Sequence, residues 1–249
     1  RRITLTDEQL AAYDRDGVVL VKGVLTGPQL WRAQRSGWSL PGWRRLGKHY
    51  SGTTWQGWRS SGVLRSVACE GMVPDLVAQV MRLRPDERLR VLKDAAFSFK
   101  PGDEGADWHC DDKGFWPCHD STPGEDARLE GVNVWITLSP VTAAEGGGLA
   151  VAPGSARASW CEKVGGTGIP PPFGSGILPS HKIRRLERSK LLHDMEPGDA
   201  LLLSRYCFHR GEKFAHGDAK LRYSIRYMPE SARLFNNGYE GVLKAKRMQ

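Results

Sequence analysis

Beyond Pro85 the chain breaks into short apolar runs, at residues 91–100, 131–138, 149–152, 200–208 and 221–228, set apart by Gly and Pro. Runs of this length, rich in branched and aromatic residues and closed by turn formers, read as strands that pair antiparallel. Few of the segments between them carry helical periodicity. An alternating chain of strands and crossover helices is therefore excluded, and a sandwich or barrel is expected.

The first third reads differently. Thr6-Asp7-Glu8-Gln9 has the pattern of a capping box ahead of Leu10 and Tyr13, Asp16-Gly17 ends that helix, and residues 18–21 look like a strand. Thr26 is placed to cap a second helix through Leu30 and Gln34. Residues 74–83 place Leu76, Val77, Val80 and Leu83 on one helical face. Between these helices, residues 35–62 are rich in Gly, Ser and Trp, with Trp38, Trp43, Trp55 and Trp58 among Arg and Lys. Aromatics interleaved with cations can stack bases, but a packed layer of loops is the plainer reading. Residues 160–180, with Pro170-Pro171-Pro172, show no assignable element, and loops that long often act as lids. The 249 residues suit a single domain: a helical layer over 1–89, a β core over 90–230 and a tail over 231–249.

Composition narrows the partners. Charged residues make up 26% and hydrophobic residues 40% of the chain, a globular balance. No apolar run approaches the ~20 residues of a membrane-spanning helix, and no charged-then-apolar leader is visible. The chain opens on Arg1-Arg2 rather than Met, which is compatible with a targeting segment lying ahead of it. Five scattered cysteines without a CxxC pair argue against a disulfide scaffold or zinc ribbon, and point to the cytoplasm or another reducing compartment. The net charge of +8 suits an anionic small-molecule substrate. No nucleic-acid-binding motif accompanies it, and oligomeric state is not encoded in any pattern here.

Two strands alternate legibly. In residues 131–138, Val132, Val134, Ile136 and Leu138 share one face, and Asn133, Trp135 and Thr137 the other. In residues 221–228, Leu221, Tyr223, Ile225 and Tyr227 oppose Arg222, Ser224, Arg226 and Met228. A greasy face backed by a polar-aromatic one fits a barrel wall with a ligand inside.

Trp108-His109-Cys110-Asp111 carries the chemistry. On an extended strand His109 and Asp111 point the same way and can share one metal. His209, closing the apolar run 200–208, is the candidate third ligand. Two imidazoles and a carboxylate on one face leave coordination positions open, as in non-haem Fe(II) oxygenases; zinc is the competing metal. An open iron site needs a reductant to activate O2, and a 2-oxo acid supplies it by chelation through its keto oxygen and C1 carboxylate. Its distal carboxylate then needs a fixed cation, for which Arg222 and Arg226 stand on the following strand.

Together these segments resemble the phytanoyl-CoA dioxygenase-like family of Fe(II)/2-oxoglutarate-dependent oxygenases. The likeness runs over about residues 4–36 and 90–230, through TDEQLAAYDRDGVVLVKGVL, FKPG, WHCDD, VNVWITL, GGGLAVAPGSA, PGDALLLSRYCFHRGE and KLRYSIRYM. The resemblance implies a mainly β fold with flanking helices (α+β), a double-stranded β-helix or jelly-roll barrel with the N-terminal helices packed outside. It implies that His109, Asp111 and His209 bind the iron and that Arg222 binds the distal carboxylate of 2-oxoglutarate. Trp135 takes the place of an aromatic lining the cosubstrate pocket, and Asn133 and Thr137 share its face. O2 is the second cosubstrate, with ascorbate as an auxiliary reductant. In one departure, a small hydroxyl residue that the family often carries two positions after the distal His is here Gly211, so Thr137 or Ser224 is the candidate to supply that hydrogen bond. Arg222 is favoured over Arg226 because it returns sooner after the turn that follows His209; Arg226 then sits further along the barrel, facing substrate or a structural acid.

The expected reaction is hydroxylation of an unactivated C–H bond, with desaturation or cyclisation as variants on the same centre. A halogenase would need a small residue in place of Asp111. A non-catalytic basic binding module is the alternative from another class. His119 and Asp120 read as loop residues, Asp112 as facing away from the site, and His49, His181, His193 and His216 as surface residues. Cys110 and Cys207 read as packing residues, and the run from His181 to Lys190 as a solvated face or a dock for an anionic substrate.

Overall fold

The computed structural model describes residues 2–111, 131–156 and 178–231. Its first helix, α1 (Asp7–Asp16), starts as its sequence dictates. The Thr6 hydroxyl accepts the Gln9 N–H at 3.2 Å, and the Gln9 side chain accepts the Thr6 N–H at 3.0 Å. Gly17 ends it at φ 72°, a left-handed conformation, and a Cβ there would lie 2.6 Å from that of Ala156. Strand β1 (Val18–Val21) follows, then α2 (Gly27–Trp38). Thr26 stands at the start of α2 but its side chain makes no capping bond; Pro28, with its preset φ, opens the helix instead.

The Trp-rich segment is not a layer of loops. It forms the hairpin β2 (Arg44–Leu46) and β3 (Tyr50–Trp55), then α3 (Gly57–Ser60). Helices α4 (Gly62–Cys69) and α5 (Met72–Val80) complete the helical layer. The remaining elements are β4 (Leu89–Phe99), β5 (Val132–Thr137), β6 (Leu149–Val151), α6 (Ser180–Arg188), β7 (Ala200–Ser204), β8 (His209–Gly211) and β9 (Lys220–Pro229).

Seven strands form one antiparallel sheet in the order β1-β7-β5-β9-β4-β3-β2, and β6 pairs with β8 in a second. Residues 1–89 thus supply strands at both edges of the large sheet as well as its helical cover. On the outer face, Val132, Val134, Ile136, Leu221, Tyr223, Ile225 and Tyr227 pack against Ala33, Leu64, Val67, Leu76, Val77 and Val80 of the helices. On the inner face, Trp135, Leu201 and Leu203 meet Leu149 and Val151 of the small sheet. Behind the small sheet, Ala150, Trp108, Cys110 and Phe208 are covered by Leu186 of α6. The molecule is therefore helices, large sheet, small sheet and one more helix in succession. This is the mainly β, helix-flanked barrel anticipated from sequence, with the cross-sheet alternation of β5 and β9 as read.

Two elements differ from expectation. The apolar run 200–208 is not one strand: β7 ends at Ser204, the chain turns with Cys207 N–H donating to the Ser204 carbonyl at 3.0 Å, and His209 opens β8 in the other sheet. Tyr206, Cys207 and Phe208 are apolar because the turn between the sheets is itself buried. The basic run forms α6, where Ile183 and Leu186 face inward and the charged side chains mask that stripe. Among the described residues no helix is long and apolar enough to cross a membrane.

Candidate metal centre

Residues 106–111 run alongside β8, joined to it through an isolated antiparallel bridge at His109 and His209. Gly211 N–H donates to the Ala106 carbonyl at 2.9 Å, and His109 and His209 exchange backbone bonds at 2.9 and 2.8 Å. Asp111 N–H donates to the Arg205 carbonyl at 2.8 Å. This pairing places His109 opposite His209, their ring centroids 4.4 Å apart, with Asp111 on the same side. The ligating atoms of His109, Asp111 and His209 all lie within 4.8 Å of one another, and all three side chains are buried.

The hydrogen bonds around the two rings define which nitrogen is available. His109 Nδ1 lies 2.6 Å from the Asp107 carbonyl and His209 Nδ1 lies 2.9 Å from that of Cys207. A carbonyl only accepts, so each Nδ1 carries the proton and each Nε2 keeps its lone pair. Burial pushes His109 down to about 4, helped by its neighbour His209, and burial likewise lowers His209. Both rings are neutral at pH 7, as metal ligation requires.

Asp111 is held from the other side. Arg226 donates to it through Nε at 3.1 Å and Nη2 at 3.0 Å, and Asn133 Nδ2 donates at 2.6 Å. Burial alone would raise its pKa, but the Arg226 charge and the two imidazoles hold it well below the usual carboxylate range. Oδ1 takes only one of these bonds, which leaves it a lone pair for a cation. Two neutral imidazoles and one fixed carboxylate fit a divalent transition metal bound on one face.

Arg222 lies four residues before Arg226 on the same face of β9, paired in register with Thr137 and Phe97. Its guanidinium carbon sits 3.3 Å over the Phe99 ring and 4.8 Å from the Trp135 ring. Nε and Nη2 are buried and have no hydrogen-bond partner among the described residues. Burial pushes its pKa down to about 9; a guanidinium so placed still carries its charge at pH 7. Open donors on a buried cation fit a carboxylate ligand.

Of the other sequence-selected residues, Trp135 stands against the Arg222 guanidinium. The Asn133 amide goes to Asp111 and accepts from Ser224 Oγ at 2.7 Å. The Thr137 hydroxyl donates to the Ser139 carbonyl, so neither Thr137 nor Ser224 has a proton left for a cosubstrate. Arg226, expected further along the barrel and facing substrate or a structural acid, meets an acid, and that acid is the triad residue Asp111. That the acid is Asp111 is not legible in the sequence, because the contact depends on the β5–β9 register, Asn133 opposite Arg226. Cys207 is an inert packing residue, its thiol pushed up to about 12 by burial, and Cys110 is buried. His181 and His216 are exposed, whereas His49 is half-buried and bonded to the Gly105 carbonyl, and His193 is half-buried. Asp112, His119 and Asp120 lie outside the described residues.

A sequence model of the family described as phytanoyl-CoA dioxygenase matches residues 13–215. No curated protein matches the chain. Among solved structures, the non-heme alpha ketoglutarate dependent carbocyclase SnoK from nogalamycin biosynthesis is 18% identical, with a TM-score of 0.71 over 97% of this chain and 90% of that one. EctD from S. alaskensis, with 2-oxoglutarate and 5-hydroxyectoine, is 18% identical at a TM-score of 0.72, over 93% of this chain and 78% of that one. HygX from Streptomyces hygroscopicus, with nickel and 2-oxoglutarate bound, is 18% identical at a TM-score of 0.66, over 92% of this chain and 89% of that one. At such identities the likeness establishes a shared fold.

Proposed function

Because the chain belongs to the phytanoyl-CoA dioxygenase family, and is an Fe(II)/2-oxoglutarate-dependent oxidoreductase, we propose that it hydroxylates an unactivated C–H bond of a small organic substrate. In this reading His109, Asp111 and His209 hold the iron and Arg222 holds the distal carboxylate of 2-oxoglutarate. The observation that carries it is the buried cluster of two imidazoles and one carboxylate, whose ligating atoms converge within 4.8 Å. An Fe(II) held by these three residues, with a 2-oxo acid beside it, would supply the O2-activating chemistry that such a bond requires, with succinate and CO2 as co-products.

The chain's own groups supply geometry and charge. The Asp107 and Cys207 carbonyls fix both imidazole tautomers, so each Nε2 faces the metal position. Arg226 and Asn133 hold Asp111 ionised and in one orientation. Phe99 and Trp135 exclude water from Arg222, which strengthens its attraction for a carboxylate. Asp111 fills the place that a halide would need, so halide transfer is disfavoured. An anionic substrate suits the net charge of +8. Cyclisation is the second reading, favoured by the likeness to the carbocyclase SnoK.

The test is succinate formation from 2-oxoglutarate with added Fe(II) and air, followed across a panel of small acids, amino acids and thioesters. The wild-type protein is expected to form succinate and His209→Ala none. A coupled product that gains one oxygen atom supports hydroxylation; one that loses two hydrogens without gaining oxygen supports cyclisation or desaturation. Succinate formation that survives His209→Ala would refute the iron assignment.

A further inference from the structure

Gly211, two residues past His209 on β8, leaves no room for a side chain. A Cβ on Gly211 would lie 2.9 Å from Gly105 Cα and 3.0 Å from the Ala106 nitrogen, so backbone already fills the space. The Tyr50 hydroxyl lies 3.3 Å from the same point. A hydroxyl therefore does stand beside position 211, delivered by β3 instead of β8.

Its hydrogen bonding sets it apart from its neighbours. Thr137 and Ser224 donate to carbonyl oxygens, which cannot donate back. Tyr50 accepts: the Ala106 N–H points at its oxygen at 3.2 Å. The phenol proton is left over, and no acceptor for it is present among the described residues. A buried phenol normally finds such a partner.

The Tyr50 ring also belongs to the Arg222 pocket. It packs edge-on against Phe99 with centroids 4.7 Å apart, and that same Phe99 ring lies under the Arg222 guanidinium. A second contact, to Phe97 at 4.9 Å, fixes the ring from the side. Burial raises the Tyr50 pKa while the Arg222 charge opposes that rise, so the phenol stays protonated at pH 7 and within the field of the guanidinium.

We infer that Tyr50 donates a second hydrogen bond to the distal carboxylate of 2-oxoglutarate, beside Arg222 and in place of the side chain missing at Gly211. This rests on the reading of Arg222 as the anchor of that carboxylate.

The test uses two probes, 2-oxoglutarate and 2-oxobutyrate, which share the keto-acid head but differ in the distal carboxylate. Binding to the Mn(II)-loaded full chain is measured by calorimetry without turnover, for wild type and Tyr50→Phe. The variant keeps the ring and its packing. It is expected to bind 2-oxoglutarate about tenfold more weakly, the effect of one hydrogen bond to a charged group, and 2-oxobutyrate as wild type does. In succinate formation the loss is expected as a raised KM for 2-oxoglutarate. Equal losses for both probes would mean that the hydroxyl only supports the Ala106 backbone, and would overturn the inference. Wild-type affinity for 2-oxoglutarate in the variant would overturn it too, leaving Arg222 untouched. If wild type itself failed to prefer 2-oxoglutarate over 2-oxobutyrate, the anchor reading would fall, and this inference with it.

Discussion

Arg222 and Arg226 share one face of one strand, four residues apart and both buried, yet their surroundings are opposites. Arg226 is engaged by the protein itself: its forked guanidinium meets both oxygens of Asp111, and Asn133 completes that carboxylate. Arg222 lies between two aromatic rings, and among the described residues its Nε and Nη2 have no hydrogen-bond partner and no carboxylate pairs with it. A buried charge left this way costs free energy until something pairs with it. The contrast separates a cation that builds the site from one that awaits a ligand, which neither charge nor burial alone would have done.

The largest expected effect of this difference is on stability. Arg226→Met strands the Asp111 carboxylate, and breaking a buried pair from one side costs about 3–5 kcal/mol. Arg222→Met removes a charge that has no ion pair among the described residues, and should leave stability equal to or above wild type. Denaturant unfolding of the two metal-free variants checks the pair; equal losses would erase the contrast.

A second effect follows pH. His109 is buried neutral at about 4 in the folded protein, against an ordinary value of 6.5. Between those values the unfolded chain binds more protons, so stability is full above about pH 6.5 and is lost as pH falls towards 4. On the order of 3 kcal/mol should disappear from the metal-free protein over that window, by ~1.4 kcal/mol per pKa unit. His209 shifts in the same direction and adds to the slope. The slope belongs to the Arg226 end of the site, so Arg222→Met should retain it and His109→Gln should flatten it. Unfolding curves at several pH values decide this.

A smaller effect probes the Arg222 end. Gly211→Ser places a hydroxyl at this position, but its Cβ meets the 105–106 backbone at 2.9–3.0 Å. Overpacking of this kind costs about 1–3 kcal/mol. The variant is expected to be less stable, and to bind 2-oxoglutarate no better than wild type. Tighter binding at unchanged stability would show that the space is open.

What the sequence revealed followed from the range of the interactions. The Thr6 capping box and the two faces of β5 and β9 depend on neighbours a few residues away, and they are legible. So is the His109-x-Asp111 pair, because alternation on an extended segment is local. His209 was identified, but its position was misread: the buried turn 205–208 is as apolar as a strand, which hid the switch between sheets. The Arg226–Asp111 contact spans 115 positions and depends on strand register, which no local pattern encodes. Tyr50 looks like any strand aromatic, and only the close approach of Gly211 to Gly105 and Ala106 marks it. The Trp-rich hairpin and α6 were obscured by their basic residues, although Leu186 and Ile183 had the helical spacing.

The account turns on which arginine binds the cosubstrate. The most direct measurement is a matched titration with 2-oxoglutarate of Arg222→Ala and Arg226→Met, both at saturating Mn(II). Losing a charged partner in a buried site costs about 2–5 kcal/mol. Arg222→Ala should therefore weaken binding by roughly thirtyfold to a few thousandfold, while Arg226→Met, once metal-loaded, changes it far less. The reverse order, with Arg226→Met abolishing 2-oxoglutarate binding at full metal occupancy and Arg222→Ala sparing it, would contradict the account.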